Sequence, residues 1–309
     1  MFGYLSELSA RGLGRAFGVA LLLAAATQAA GLPLNIDGRD YDWSHVGRFV
    51  LPGDTVSITA PAEGGPCGWA ASGGELAILD QQRVRWVAPG EPGLHSITVC
   101  RDTLSAAVNV FVMVPFDSMM NGELNGYRIG TYPSSNPFPN FVIPRGFIEV
   151  TEENIDTRVS RGHTLREFVS RQPGSFPKYL VLREELVIKL ELLADLVREK
   201  GHDCEALTVF SGFRTPSFHH RRGSGTNSAH VYGGAADIFL DGNDDGLMDD
   251  ISGDGASDSR DSRLLASYVD ELEEAHPELV GGCGWYRRTR SRGPFVHTDV
   301  RGERTRWHR

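Results

Sequence analysis

The run Ser211-Gly212-Phe213-Arg214-Thr215-Pro216, followed by Asn227-Ser228-Ala229-His230-Val231-Tyr232-Gly233-Gly234-Ala235-Ala236-Asp237, constrains the fold more than any other stretch. It places an Arg, a His and an Asp in short glycine-rich segments where core packing alone would want none of them. Ala235-Ala236-Asp237-Ile238-Phe239-Leu240 reads as a strand, and Gly233 with Gly234 lets the preceding loop fold back, so His230 can approach Asp237. Ala235 and Ala236 leave room beside the backbone for an ion and its water. A second strand-like run, Phe295-Val296-His297-Thr298-Asp299-Val300, has a period of two. Phe295, His297 and Asp299 share one face; Val296, Thr298 and Val300 take the other. Two imidazoles and one carboxylate, with a fourth position left to water, make the ligand set of a catalytic zinc site. His230, Asp237 and His297 are the candidates. Asp299 is placed either behind His297 or on the bound water.

These blocks resemble the zinc D-Ala-D-Ala carboxypeptidase family, which shares its fold with the hedgehog signalling domain. The family pattern is S-G-[FY]-R-[TS], then S-x-H-x-x-G-x-A-x-D, then a late V-H-x-[DE], and all three are present in that order. The match covers roughly residues 160–309, and three ordered motifs are far more specific than one. The resemblance implies an α+β hedgehog/DD-peptidase-like domain over 161–309. It also implies His230, Asp237 and His297 as zinc ligands, and Arg214 as the group that holds a substrate's terminal carboxylate. The implied activity is that of a zinc metallopeptidase on peptidoglycan stem peptides, of carboxypeptidase type. The alternatives are an endopeptidase or dipeptidase with the same zinc, or a non-catalytic zinc-containing binding protein on this fold. The chain departs from the pattern at one place. Some relatives carry an acidic residue three before the last His, where this chain has Pro294, which leaves Asp299 as the local candidate for the general base.

A chain of 309 residues has room for about two domains. A formal charge of −9 argues against a nucleic-acid partner, which would meet a basic face. The arginine-rich tail over 287–309 is the exception, expected as a solvated, partly ion-paired edge. At the other end, Arg11 and Arg15 precede a short apolar run over 16–26 and then small residues, the plan of an export signal. That run falls short of the roughly 20 residues of a membrane span. Residues 1–30 are therefore expected as a cleaved signal peptide or, failing cleavage, a membrane anchor, with the remainder periplasmic or extracellular. Cys67, Cys100, Cys204 and Cys283 allow three disulfide pairings. If the halves are separate domains, 67–100 with 204–283 is the economical one, and an oxidising compartment favours pairing over free thiols.

Residues 38–115 hold short runs rich in β-branched side chains, separated by Pro, Gly and Asp clusters, as in a small all-β sandwich. Trp86-Val87-Ala88-Pro89 followed by Pro92-Gly93 resembles bacterial immunoglobulin-like modules. Residues 116–160 read as a connecting region, and His163 as a capping or surface residue. Leu182, Leu186, Leu190, Leu193 and Val197 make one apolar stripe and predict a helix over 182–200, stopped by Gly201. A second amphipathic helix is expected over 261–275. His219 and His220 are expected in a flexible loop. Asp241, Asn243, Asp245 and Gly246 have the spacing of the first half of an EF-hand-type calcium loop, but its twelfth position is Ser252 rather than Glu. Calcium there competes with a solvated acidic insertion. Trp285 and Tyr286 are expected in the core or on the wall of the cleft.

Overall fold

The structure is a computed structural model that describes residues 31–133, 137–223 and 227–309. The expected signal or anchor segment lies outside the described residues. Among the described residues no helix is long and apolar enough to cross a membrane.

The first half is built from strands alone: Leu34–Ile36 (β1), Arg39–Tyr41 (β2), His45–Val50 (β3), Thr55–Thr59 (β4), Gly68–Ala71 (β5), Glu75–Ile78 (β6), Arg83–Val87 (β7), Gly93–Arg101 (β8) and Leu104–Val112 (β9). They form one sheet of order β2-β1-β4-β7-β6 and another of order β3-β9-β8-β5. Alternation along β4 and β7 turns Val56, Ile58, Val84 and Trp86 inward, where they meet Ile97, Val99, Val108 and Val110 of the other sheet in one core. The Trp86 indole donates to Gly73 O at 2.7 Å. At Gly74, with φ +74°, a Cβ would lie 2.5 Å from that ring, so only glycine fits. The expected boundary at residue 38 is too late, because Leu32, Leu34 and Ile36 are already buried in this core.

Next come Val114–Pro115 (β10), Glu123–Leu124 (β11), Tyr127–Arg128 (β12), Gly146–Val150 (β13) and Lys178–Leu180 (β14). β10, β13 and β14 form a three-stranded sheet. Residues 116–160 are therefore not a free connection. Tyr127, Ile129, Phe141, Phe147 and Val150 are buried in the second core, which they share with the first long helix. Their scattered aromatic and β-branched residues show no period, and that hid the packing.

The long helix is Glu184–Glu199 (α1), with acidic residues in its first turn and Arg198 in its last, as the helix dipole favours. Leu186, Leu190, Leu193 and Val197 are buried in the second core. Ile188 packs instead against the first-half core, Leu192 touches both cores, and Arg48 pairs with Glu184. One helix thus serves both halves.

Beyond it lie Thr208–Ser211 (β15), Pro216–Arg221 (α2), Ala235–Phe239 (β16), Ser259–Ala275 (α3), Gly282–Tyr286 (β17), Phe295–Asp299 (β18) and Thr305–His308 (β19). The five strands make a sheet of order β15-β16-β18-β17-β19. β16 runs antiparallel to both β15 and β18, setting Asp237 opposite Ser211 on one side and His297 on the other. The central pair buries both faces: every residue of β16 and β18 is buried.

α2 replaces the expected flexible loop: Thr215 accepts from Phe218 N at 3.1 Å as its cap, and Pro216 occupies the first turn. α3 begins two residues earlier than expected, capped reciprocally by Asp258 and Asp261.

The four cysteines are free thiols in the structure, against the expected disulfides. Cys283 packs against Ala266 O of α3, whereas Cys204 lies beside Arg198 at the end of α1, so the two belong to different surroundings.

Candidate metal centre

His230 sits in a single 3-10 turn, Ala229–Tyr232, that ends on Gly233 with φ +67°. A Cβ on Gly233 would come within 2.3 Å of Val181 O, so this tight return of the chain requires glycine. Gly234 N donates to Ala229 O and Gly233 O accepts from Arg183 N, which locks the turn against the start of α1. The imidazole is thereby brought beside Asp237 on β16, and strand register delivers His297 from β18.

The three side chains converge. His230 Nε2 lies 3.2 Å from Asp237 Oδ1 and 3.2 Å from His297 Nδ1, and His297 Nδ1 lies 2.9 Å from Asp237 Oδ1. Among the described residues they are the group of three or more His, Cys, Asp or Glu whose ligand atoms gather in this way. All three residues are buried.

What lies behind each ring decides its tautomer. His230 Nδ1 is 2.6 Å from Gly212 O, which can only accept, so Nδ1 carries the proton and Nε2 turns its lone pair inward. His297 Nε2 is 3.0 Å from Asp299 Oδ2, so that nitrogen donates and Nδ1 faces the triad. Two lone pairs and a carboxylate oxygen therefore point at one spot, which calls for a cation. Ligands about 2.0–2.1 Å from a tetrahedral zinc ion lie roughly 3.3 Å from one another. The observed spacings fall just short of that, and the donor set fits the ion.

The two rings differ in their electrostatics. Burial pushes the His230 pKa down, keeping the ring neutral. Burial opposes charge on His297 too, but hydrogen bonds to Asp237 and Asp299 outweigh it and raise the pKa. Asp237 is held well below the usual carboxylate range: burial works against it, and the two imidazoles prevail.

Asp299 takes the place behind His297 and not the one on the water. It is fully buried, accepts from Gly282 N at 2.7 Å and from Arg301 Nη2 at 2.6 Å, and bonds the ring nitrogen that faces away from the triad. Its assignment as general base is corrected accordingly: its carboxylate orients His297. The same register that puts Asp299 on the His297 face leaves it one ring too deep.

Arg214 also differs from expectation. Its Nη2 donates to Asp237 Oδ2 at 2.6 Å and to Ser211 Oγ at 2.7 Å, so it is tied to the metal ligand. It still lines an open cleft of about 390 Å³ that reaches Asp237 and is floored by Phe210, Phe239 and Phe295. Pro294 stands on the rim of this cleft. Tyr286 stacks on Phe295 at 4.3 Å, and Trp285 stacks on His308; neither lines the cleft.

Asp241, Asn243 and Asp245 turn inward on their own backbone. Asp241 accepts from Asp245 N and Gly246 N, and Asn243 accepts from Asp245 N. Gly246, at φ +78°, makes the sharp bend, and Gly246, Leu247 and Met248 form one wall of the cleft. His163 is neither a surface nor a capping residue: it is fully buried, bonded to Glu191 Oε1 and Leu207 O, and away from the triad.

Two supporting residues escaped the sequence. Lys189 Nζ is fully buried and donates to Glu273 Oε1 at 2.6 Å, Leu279 O at 3.0 Å and Asp299 O at 2.7 Å. A lysine three after Leu186 and four before Leu193, inside the apolar stripe, was the available signal. Trp307 on β19 packs its indole near His297, with ring centroids 5.2 Å apart, over Gly284, where a Cβ would lie 2.2 Å from the indole. The arginine-rich tail is partly ion-paired, as expected: Arg301 pairs with Asp299, and Arg304 and Arg306 with Asp270.

No family model matches the chain. No curated protein matches it either. Among solved structures, the adhesin InvE of Yersinia pseudotuberculosis shares 20% identity over 23% of this chain and 25% of its own, with a TM-score of 0.18. A likeness so short bears on neither the triad nor the cleft.

Proposed function

We propose that the chain is an exported zinc-dependent peptidase acting on peptidoglycan stem peptides, of carboxypeptidase type. In this reading the second half takes the hedgehog/DD-peptidase fold, and the first half is an immunoglobulin-like module. One observation carries it: three buried ligand atoms, each fixed from behind, converge on one spot, and one of the three residues, Asp237, also lines an open cleft. The sequence motifs that resemble the zinc D-Ala-D-Ala carboxypeptidases are the residues that meet there.

Zinc, when bound, supplies a Lewis acid for the peptide carbonyl and an acidified water. His230, Asp237 and His297 would hold it. Gly212 O and Asp299 keep both imidazoles in the ligating tautomer. Arg214, paired with Asp237 and bonded to Ser211, fixes the outer oxygen of that ligand at the cleft wall. Phe210, Phe239 and Phe295 would offer one side of the bond an apolar surface.

A specific observation favours a second reading. Asp237 is the one carboxylate among the described cleft-lining residues, and both of its oxygens are engaged. A zinc-containing domain that binds peptides without turnover fits that lack of a free base.

Metal analysis of purified protein, followed by digestion of pentapeptide stems and cross-linked muropeptides, tests these readings. Zinc near one equivalent and release of a single D-Ala are expected. Scission of cross-links would make it an endopeptidase, and zinc without turnover a binder. Protein that purifies and reconstitutes without zinc would overturn both readings.

A further inference from the structure

The cleft beside the triad is rimmed by Arg171, Arg222 and Arg292, in addition to the deeper Arg214. Arg214 is neutralised by Asp237, but the three rim arginines have no carboxylate partner among the described residues. The guanidinium of Arg222 lies 5.6 Å from the Phe218 ring centroid. Both Arg222 and Arg292 stand near enough to Arg214 to disfavour its charge, after burial itself. In a chain of net charge −9, three uncompensated cations around one opening are a local reversal of sign. Arg222 also lines a second cleft, of about 690 Å³, next to the first. Self-repulsion of this kind is relieved by an anionic ligand, and planar guanidinium forks match carboxylates.

We infer that this cleft selects peptides carrying at least two carboxylates near the scissile bond, held by Arg171, Arg222 and Arg292. The inference rests on the peptidase reading for the scissile bond, though not for binding. Arg214, already bonded to Asp237 and Ser211, is then no carboxylate clamp. A chain-terminal carboxylate and a side-chain or branch-point carboxylate would each meet a rim arginine. Arg222, shared by the two clefts, is placed to take the one further from the bond.

The test compares two synthetic stem peptides on zinc-loaded full-length protein, one with a free carboxylate on its second residue and one with that carboxylate amidated. Binding is measured by calorimetry and turnover by amine release, for the wild type and for Arg171→Gln, Arg222→Gln and Arg292→Gln. The dianion is expected to bind the wild type about tenfold more tightly, with a steeper loss in salt, and each variant to give up several-fold of that preference. Equal affinity for both peptides, or variants that weaken both alike, would overturn the inference while leaving any observed turnover to stand. Charge-selective binding without turnover would support the cleft and sink the peptidase. Inorganic phosphate that displaces the dianion at lower concentration than a free dicarboxylate does would overturn the carboxylate assignment.

Discussion

Asp299 holds His297 by the nitrogen that faces away from the metal triad, at 3.0 Å, and is itself clamped by Arg301 and Gly282. The carboxylate is kept charged: burial opposes ionisation, but the bonds to His297 and Arg301 win and hold its pKa far below the usual range. Asp299→Asn removes the charge and offers a donor where His297 needs an acceptor. Zinc affinity, read by chelator competition, is expected to fall about 10–100-fold. An unchanged affinity would mean that the tautomer of His297 is set elsewhere.

Lys189 lies beneath the same strand and links α1 to the backbone carbonyl of Asp299. Burial lowers its pKa, and Glu273 opposes that change. Lys189→Met strips Glu273 of one of its cations, leaving Arg306 as the other. A loss of about 3 kcal/mol is expected from urea unfolding. Combining Lys189→Met with Glu273→Leu should recover part of it, since no buried charge is then stranded. If the double variant is no better than the single, the ion pair is not the cause.

The pair His163 and Glu191 ties the start of the second core to α1. Burial pushes the Glu191 carboxyl up, but His163, Ser160 and Gly162 more than offset it, bringing it from the ordinary 4.5 down to about 2. A depressed carboxylate stabilises the fold above pH 4.5, and its contribution is lost as pH falls towards about 2. His163 is raised from 6.5 despite burial, so its share is whole below pH 6.5 and fades as pH rises beyond it. Glu191→Gln should therefore cost on the order of 3 kcal/mol near pH 6 and progressively less at pH 3. A gap between wild type and variant that stays constant over this range, measured by urea unfolding, would contradict the assignment.

Gly233→Ala tests the turn that presents His230. The added methyl group meets Val181 O at 2.3 Å, in a backbone conformation that side chains rarely adopt. Destabilisation of at least ~2 kcal/mol is expected, together with weaker zinc binding. Gly253→Ala, in open space at a similar φ of +74°, separates backbone strain from the clash. Equal losses in the two would leave no role for Val181.

The triad was legible in the sequence because its residues sit in blocks that glycine and alanine make distinctive, and α1 because its stripe is regular. Other elements left fainter marks. Lys189 hid inside that stripe, since a lysine on a helix reads as solvated unless its partners, Glu273 and two carbonyls far along the chain, are known. Thr215-Pro216 announced the cap and first turn of α2, but the glycines that follow outweighed them. Residues 116–160 have neither helical nor strand period, so only three-dimensional packing reveals their burial. Asp299 was placed on the correct face of β18; depth along that face is a property of the neighbouring strands.

The position of α1 also bears on how portable the second half is. Its flank carries Ile188 and Leu192 into the first core, and Glu184 reaches Arg48. A fragment cut away near residue 113 would bare that greasy flank while Lys189, on the same helix, still props up β18 from below. Such a truncation product would tend to clump and to loosen its grip on His297 together, so the leading module behaves as a splint rather than a detachable tether.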